Sequence, residues 1–205
     1  SLYGKGNALA TISRYDEALD YYDKTLEINP EFSDSIYQKG NALFELGKYE
    51  EALPFFDHSL EYNPHNIKAL LNKGLILSKL KKYKSSLVYF NQVLEQEPND
   101  FDALFNKGLS LKKLGKFTDA ELIFDKLISI DSNHSGVLFN KGYCLAKQEK
   151  FQTAISFFDR ALEFHPDFVD AMYQKGKCIL SQGNAHDADI IFEEILRIDS
   201  TNIST

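Results

Sequence analysis

The stretch YQKGNALFELGKYEEAL, Tyr37–Leu53, decides the fold, because its triplet of an amide, a lysine and a glycine returns at a fixed distance along the chain. Near-copies stand at Gly4-Lys5-Gly6, Asn72-Lys73-Gly74, Asn106-Lys107-Gly108, Asn140-Lys141-Gly142 and Gln174-Lys175-Gly176, a period of 34 residues. Self-similarity at such a period marks stacked supersecondary units, none of which can bury its apolar face alone. Four residues before each glycine stand Leu2, Ile36, Leu70, Leu104, Leu138 and Met172, and three after it Leu9, Leu43, Leu77, Leu111, Leu145 and Ile179. Spacings of four and three put these residues and the glycine on one helical stripe. This is helix A of each unit.

A short turn follows, often with glycine (Gly47, Gly115, Gly183), and then a second periodic run. Small residues Ala18, Ala52, Ser86, Ala120, Ala154 and Ala188 precede by four the aromatics Tyr22, Phe56, Phe90, Phe124, Phe158 and Phe192. This is helix B, which usually stops near Pro30, Pro64, Pro98 or Pro166, where a missing N–H and a restricted preceding residue end helices. A glycine inside helix A costs about 1 kcal/mol relative to alanine. Close approach of the helix B ring is the expected compensation, so a large side chain at the glycine should be worse tolerated than alanine.

The glycine, the later alanine, the aromatic four beyond it and the terminal proline resemble the tetratricopeptide repeat (TPR) pattern across essentially the whole chain. The resemblance implies an all-α fold, an α-solenoid of antiparallel helix pairs in a right-handed superhelix. It also implies one array over 1–205, with repeats at approximately 1–32, 33–66, 67–100, 101–134, 135–168 and 169–202. Several copies depart from the pattern. Ser132 and Ser200 replace the proline, Lys81 and Glu149 the turn glycine, and Ala185 the turn aromatic, while Pro54 sits early in helix B. The first copy begins inside helix A and the last carries no polar capping helix, which reads as a piece of a longer array.

In TPR proteins the helix A face turned away from helix B lines a concave groove for ligands. Here that face carries the positions three and two before each glycine and one, four and five after it. The amides Gln38, Asn72, Asn106, Asn140 and Gln174 project along its flank, one per repeat. A carboxamide both donates and accepts, as a peptide backbone requires. The row resembles the asparagine ladder of long TPR superhelices, and it reads equally as a set of bonds between neighbouring helices. At a net ~0.5–1.5 kcal/mol per bond, a few amides would not cover the cost of association, several kcal/mol. Apolar anchors are therefore needed, and Leu75, Leu109, Tyr143, Phe105 and Phe139 of the central repeats are the candidates.

Lysines Lys79, Lys81, Lys82, Lys84, Lys112, Lys113, Lys116, Lys147 and Lys150 gather at the A-to-B turns. They read either as helix C-termini favouring cations or, for Lys79, Lys112 and Lys113 above all, as a rim recruiting an acidic ligand. The repeating lysine before each glycine points away from the groove. Its expected partner is the acid of helix B in its own repeat, at Asp23, Asp57, Asp125, Asp159 or Glu193, with Asn91 in the third copy.

Composition narrows the function classes. The 205 residues are 43% hydrophobic and 26% charged with a formal net charge of −7, ordinary for a globular chain. Residues 67–134 alone are basic, with 11 Lys/Arg against 8 Asp/Glu. An acidic chain is a poor candidate for nucleic acid, and no apolar run reaches the roughly 18 residues of a membrane span. Two cysteines suit a reducing, cytoplasmic setting. Cys144 and Cys178 occupy equivalent small positions in successive A helices and read as packed thiols. The five histidines form no metal-spaced cluster and no catalytic constellation is present, so neither cofactor nor metal is expected. The chaperone-binding carboxylate clamp of some TPR proteins is matched only at Asn7 and Asn41. It departs at Tyr3, Leu71 and Leu75.

The expected function is a non-enzymatic scaffold that binds a peptide segment of a partner protein. Two rivals stand beside it. One is the substrate-recruiting part of a larger enzyme, as in TPR-containing glycosyltransferases. The other is a self-assembling array, a homo-oligomer joined through its terminal repeats.

Overall fold

The computed structural model describes residues 1–202, with side chains through Ile198. Twelve α-helices fill the described residues, which contain no strand. In chain order they are α1 (Leu2–Thr11), α2 (Tyr15–Ile28), α3 (Ser33–Glu45), α4 (Tyr49–Tyr62), α5 (Ile67–Lys79), α6 (Tyr83–Gln96), α7 (Phe101–Lys113), α8 (Phe117–Ile130), α9 (Ser135–Lys147), α10 (Phe151–Phe164), α11 (Val169–Ser181) and α12 (Ala185–Asn202). Odd-numbered helices are the A helices and even-numbered ones the B helices. The chain divides into two compact units, residues 1–106 and 107–205, the division falling within α7.

In the first unit the helices pack in succession, α1 on α2, α2 on α3, α3 on α4, α4 on α5 and α5 on α6, while α1, α3 and α5 also touch in turn. The second unit shows the same order in α8 on α9, α9 on α10, α10 on α11 and α11 on α12, with α9 touching α11. The repeating aromatic is the core of each pair: Tyr22, Phe56, Phe90, Phe124 and Phe158 are all fully buried. The helix A glycine is what admits it. A Cβ on Gly74 would lie 2.6 Å from the Phe90 ring, and one on Gly142 would lie 2.7 Å from Phe158 and 3.2 Å from the Ala154 carbonyl oxygen.

The A-to-B turn is one conformation carried by different residues. Gly47, Gly115 and Gly183 hold φ between 73° and 87°, and Ser13, Lys81 and Glu149 hold φ near 60° at the same register. The left-handed region costs a residue with a Cβ roughly 1 kcal/mol. Glu149→Gly should therefore raise stability by up to about 0.5 kcal/mol, after the extra chain entropy of glycine is deducted. A thermal melt that moves downward for this variant would contradict the assignment.

The missing prolines act differently at their two sites. At Ser132 the helix still ends, at Ile130, because the Asn133 N–H donates to Asp131 Oδ1 at 3.0 Å and fixes a turn. At Ser200 α12 runs on to Asn202, 18 residues against 14 in the other B helices. Helix α4 continues through Pro54.

The structure corrects the expected lysine pairing. Lys39 pairs with Asp23 and Lys73 with Asp57 in the first unit, and Lys141 with Asp125 and Lys175 with Asp159 in the second. Each acid belongs to helix B of the preceding repeat, not to the lysine's own. Helix A lies between two B helices, and periodicity fixes the face of a residue without saying which neighbour it meets. The rungs thus tie one repeat to the next. They are half-exposed at the carboxylate, so each stabilises by only ~0–1 kcal/mol.

Candidate functional site

Two clefts open between successive A helices, one in each unit, and they are lined from the same register. In the first unit Asn7, Ala10 and Thr11 of α1 face Gln38 of α3, with the Tyr22 hydroxyl between them. In the second unit Tyr143, Ala146 and Lys147 of α9 face Gln174, Lys177 and Ser181 of α11 around a cleft of about 110 Å³. In both clefts the lining takes the positions one, four and five after the glycine on one helix and two before it on the next, and in the second cleft Lys177 and Ser181, one and five after Gly176, join them. These positions belong to the A-helix face deduced from helical geometry, and other pockets open elsewhere, one of them among Leu26, Pro30, Ile36, Pro54, Phe55 and His58.

The chemistry of the two differs. The first is neutral and closed by its own bond, Tyr22 donating to Asn7 Oδ1 at 3.0 Å. The second is cationic and aromatic. Lys147 Nζ lies 5.5 Å from the Tyr143 ring centre, and Lys177 Nζ lies 5.6 Å from that of Tyr173. Lys112 reaches from α7 onto the same surface, 5.0 Å from the Tyr143 ring, and donates to Asn140 Oδ1. Burial, the largest influence, lowers the Lys112 pKa from the ordinary lysine value. A cation over an aromatic face is attracted by the ring quadrupole, which holds these ammonium groups in place without neutralising them.

The amides do not form one uniform row. Asn72 bridges α5 to α3, donating to Asn41 Oδ1 at 2.9 Å and to the Tyr37 hydroxyl at 3.3 Å, while Gln38 accepts from Asn41 at 3.1 Å. Asn106 donates to the Asp102 carbonyl of its own helix at 2.8 Å, and Asn140 likewise to Gly136 at 2.7 Å. Asn140 is 6% exposed and Gln174 lines the second cleft. Among the proposed anchors, Leu75 and Leu109 are partly buried on α5 and α7. Phe105 stacks on Phe101 with ring centres 6.2 Å apart, and Phe139 lies against Phe158 and Phe168 at 6.0 and 4.9 Å. Tyr143 reaches the cleft. Lys79 and Lys113 are exposed at the ends of α5 and α7.

Lys177 and Ser181 were not among the residues singled out from sequence. The signal was available, since Lys177 occupies the register of Leu75, Leu109 and Tyr143, but a single lysine after a run of apolar residues breaks the pattern rather than announcing a site. Cys144 and Cys178 are buried free thiols, and burial pushes Cys144 up to about 12. Among the described residues no group of His, Cys, Asp or Glu could hold a metal ion, and no helix is long and apolar enough to cross a membrane.

Helix pairs in repeated register, an aromatic locked against a glycine in each, and clefts between A helices together define an α-solenoid. The chain matches tetratricopeptide repeat models over parts of its length and shares the fold of tetratricopeptide repeat proteins. Tetratricopeptide repeat models match residues 136–168 and 89–121, and the model for subunit 3 of the anaphase-promoting complex (cyclosome) matches residues 12–93. Among solved structures, MamA residues 41 to the end from Desulfovibrio magneticus RS-1 superposes with a TM-score of 0.79 at 18% identity, over 82% of this chain and 96% of that one. YrrB, described as a TPR protein with an unusual peptide-binding site, gives 0.72 at 24% identity, over 86% and 91%. A tetratricopeptide repeat protein from Parabacteroides merdae gives 0.70 at 21% identity, over 96% and 77%. No curated protein matches the sequence.

Proposed function

We propose that the chain is a non-enzymatic interaction scaffold whose A-helix face binds an unstructured, acidic peptide segment of a partner protein. The observation that carries this reading is the cleft between α9 and α11, where Tyr143 and Gln174 meet Lys147 and Lys177. An aromatic ring supplies apolar contact area, the carboxamide matches a peptide backbone, and two ammonium groups favour carboxylates. Within the second unit Leu109 and the exposed Lys113 extend the same chemistry onto α7, and Leu75 and Lys79 repeat it on α5 of the first unit. Asn72, Asn106 and Asn140 already spend hydrogen bonds within the chain, so their remaining donor and acceptor capacity serves the ligand only in part. YrrB, with a similar fold, is described by its peptide-binding site.

The reading is the same whether the chain acts alone or recruits substrate for a larger enzyme. A reducing, cytoplasmic setting suits its two buried thiols. Display of random peptides against the immobilised chain tests the proposal. It should enrich segments combining Asp or Glu with apolar residues. Enrichment of basic segments, or none, would remove the acidic ligand from the account.

A further inference from the structure

We infer that the groove between α2 and α4, and its repeat between α4 and α6, each take an arginine side chain from a basic, unstructured segment of a partner protein. Helices α2 and α4 both pack on α3 without touching each other, so a space opens between them. It holds about 250 Å³ and is lined by Leu26, Pro30, Ile36, Pro54, Phe55 and His58. One repeat on, a groove of about 320 Å³ lies among Pro64, Leu70 and Gln92, which hold the registers of Pro30, Ile36 and His58. Both grooves sit at internal junctions of the first unit, and neither shares a residue with the clefts between A helices.

The chain supplies its own example of the occupant. In the second unit Arg160 holds the register of His58 and Gln92, and Ser132 that of Pro30 and Pro64. Arg160 Nη2 donates to the Ser132 carbonyl oxygen at 3.1 Å, and the guanidinium carbon lies 5.5 Å from the centre of the Phe157 ring. Phe55 and Tyr89 hold the register of Phe157. The surroundings match as well. Lys141 lies over Phe157 and pairs with Asp125, as Lys39 lies over Phe55 and pairs with Asp23. The first junction thus carries His58 where the filled one carries Arg160, and the second carries Gln92.

What Arg160 satisfies in its own junction stays open in the first unit. Among the described residues no group donates to the carbonyl oxygen of Pro30 or Pro64. His58 Nδ1, on the wall of the first groove, is shielded and has no hydrogen-bond partner, a cost that a ligand N–H would relieve. Charge selects the ligand further. Glu95 lines the second groove, and Glu27 and Glu61 hold the same register on α2 and α4. All three are exposed, and among the described residues none has an ion pair. Residues 1–66 carry 5 Lys/Arg against 12 Asp/Glu. A planar guanidinium can stack on a ring while its edge donates to a carbonyl and a carboxylate, which the compact ammonium of lysine does less well. This ligand is opposite in charge to the one proposed for the cleft between α9 and α11, so either reading can fail without the other.

The test is fluorescence anisotropy of a labelled, unstructured peptide of alternating Arg and Ser titrated with the 205-residue chain, beside a Lys and Ser peptide of equal charge. The Arg peptide should bind about fivefold more tightly or better. His58→Arg gives the first groove its own guanidinium, so it should keep the thermal melt and weaken binding about threefold. Adding Gln92→Arg should bring the loss to about tenfold. Ser85→Arg places the same charge at an exposed position of α6 outside the grooves and should change binding by less than about twofold. Glu61→Gln with Glu95→Gln, both at exposed positions, should weaken it about threefold. Backbone amide shifts should be largest around Leu26, Phe55, His58 and Gln92. Equal binding of the two peptides, equal losses from Ser85→Arg and His58→Arg, or largest shifts on the A-helix face would each overturn the inference.

Discussion

Gly142→Leu lowers stability by more than about 3 kcal/mol, and Gly142→Ala by about 1–2 kcal/mol, although either residue is a better helix former than glycine. The reason is the ring opposite. A Cβ at Gly142 would stand 2.7 and 2.9 Å from Phe158 Cε1 and Cδ1, closer than unstrained carbon atoms approach. Phe158 is fully buried among Leu138, Leu145, Ala154 and Ala161, so the ring has nowhere to retreat. The Ala154 carbonyl on the same side is backbone and yields less still. Gly40→Ala is the internal control. Its nearest neighbours are Phe55 Cβ at 3.0 Å and Phe56 at 3.3 Å, which a small shift relieves, so its cost should be well under that of Gly142→Ala. Denaturant midpoints measure the difference. Equal midpoints for Gly142→Leu and the parent chain would show that close packing is not why glycine stands there.

Lys147→Glu combined with Lys177→Glu weakens binding of an acidic, display-selected peptide by roughly tenfold or more, chiefly through slower association, and flattens its dependence on salt. Both lysines are exposed, so the melt should be unchanged. They line one cleft, and reversing both turns an attractive field into a repulsive one. Lys84→Glu, an exposed lysine on α6, should leave association nearly unchanged. The same loss from Lys84→Glu would mean that net charge alone governs binding. Lys112 is a poor choice for this test. It is half-buried against Tyr143 and bonded to Asn140, so its reversal disturbs packing as well as charge.

The period alone made most of the fold legible. The stripe of Leu70, Gly74 and Leu77 and the pair Ser86–Phe90 locate α5, α6 and their contact, because helical spacing and a repeat together leave little freedom. Of the five amides, Gln38 and Gln174 line clefts, whereas Asn140 is buried and Asn106 bonds its own helix. What the sequence did not disclose were neighbour relations. Lys39 was assigned to Asp57 and meets Asp23, because both acids lie on the correct face of a B helix and only packing chooses between them. Asn72, Asn106 and Asn140 look identical in sequence, yet Asn72 meets Asn41, Asn106 its own helix, and Asn140 the Lys112 ammonium. The residue one after the preceding glycine is Asn41 for the first and Leu75 and Leu109 for the others, so only the first finds an amide there. Ser13 escaped notice as a turn residue held at φ 59° because nothing in its type signals left-handed backbone.

The central claim is that a peptide lies on the A-helix face, and mapping the contact by backbone amide shifts on titration with a display-selected acidic peptide tests it most directly. The account predicts that the largest changes fall on α9 and α11, around Tyr143, Lys147, Gln174, Lys177 and Ser181. Changes confined to α8, α10 and α12, with those five residues unmoved, would contradict it.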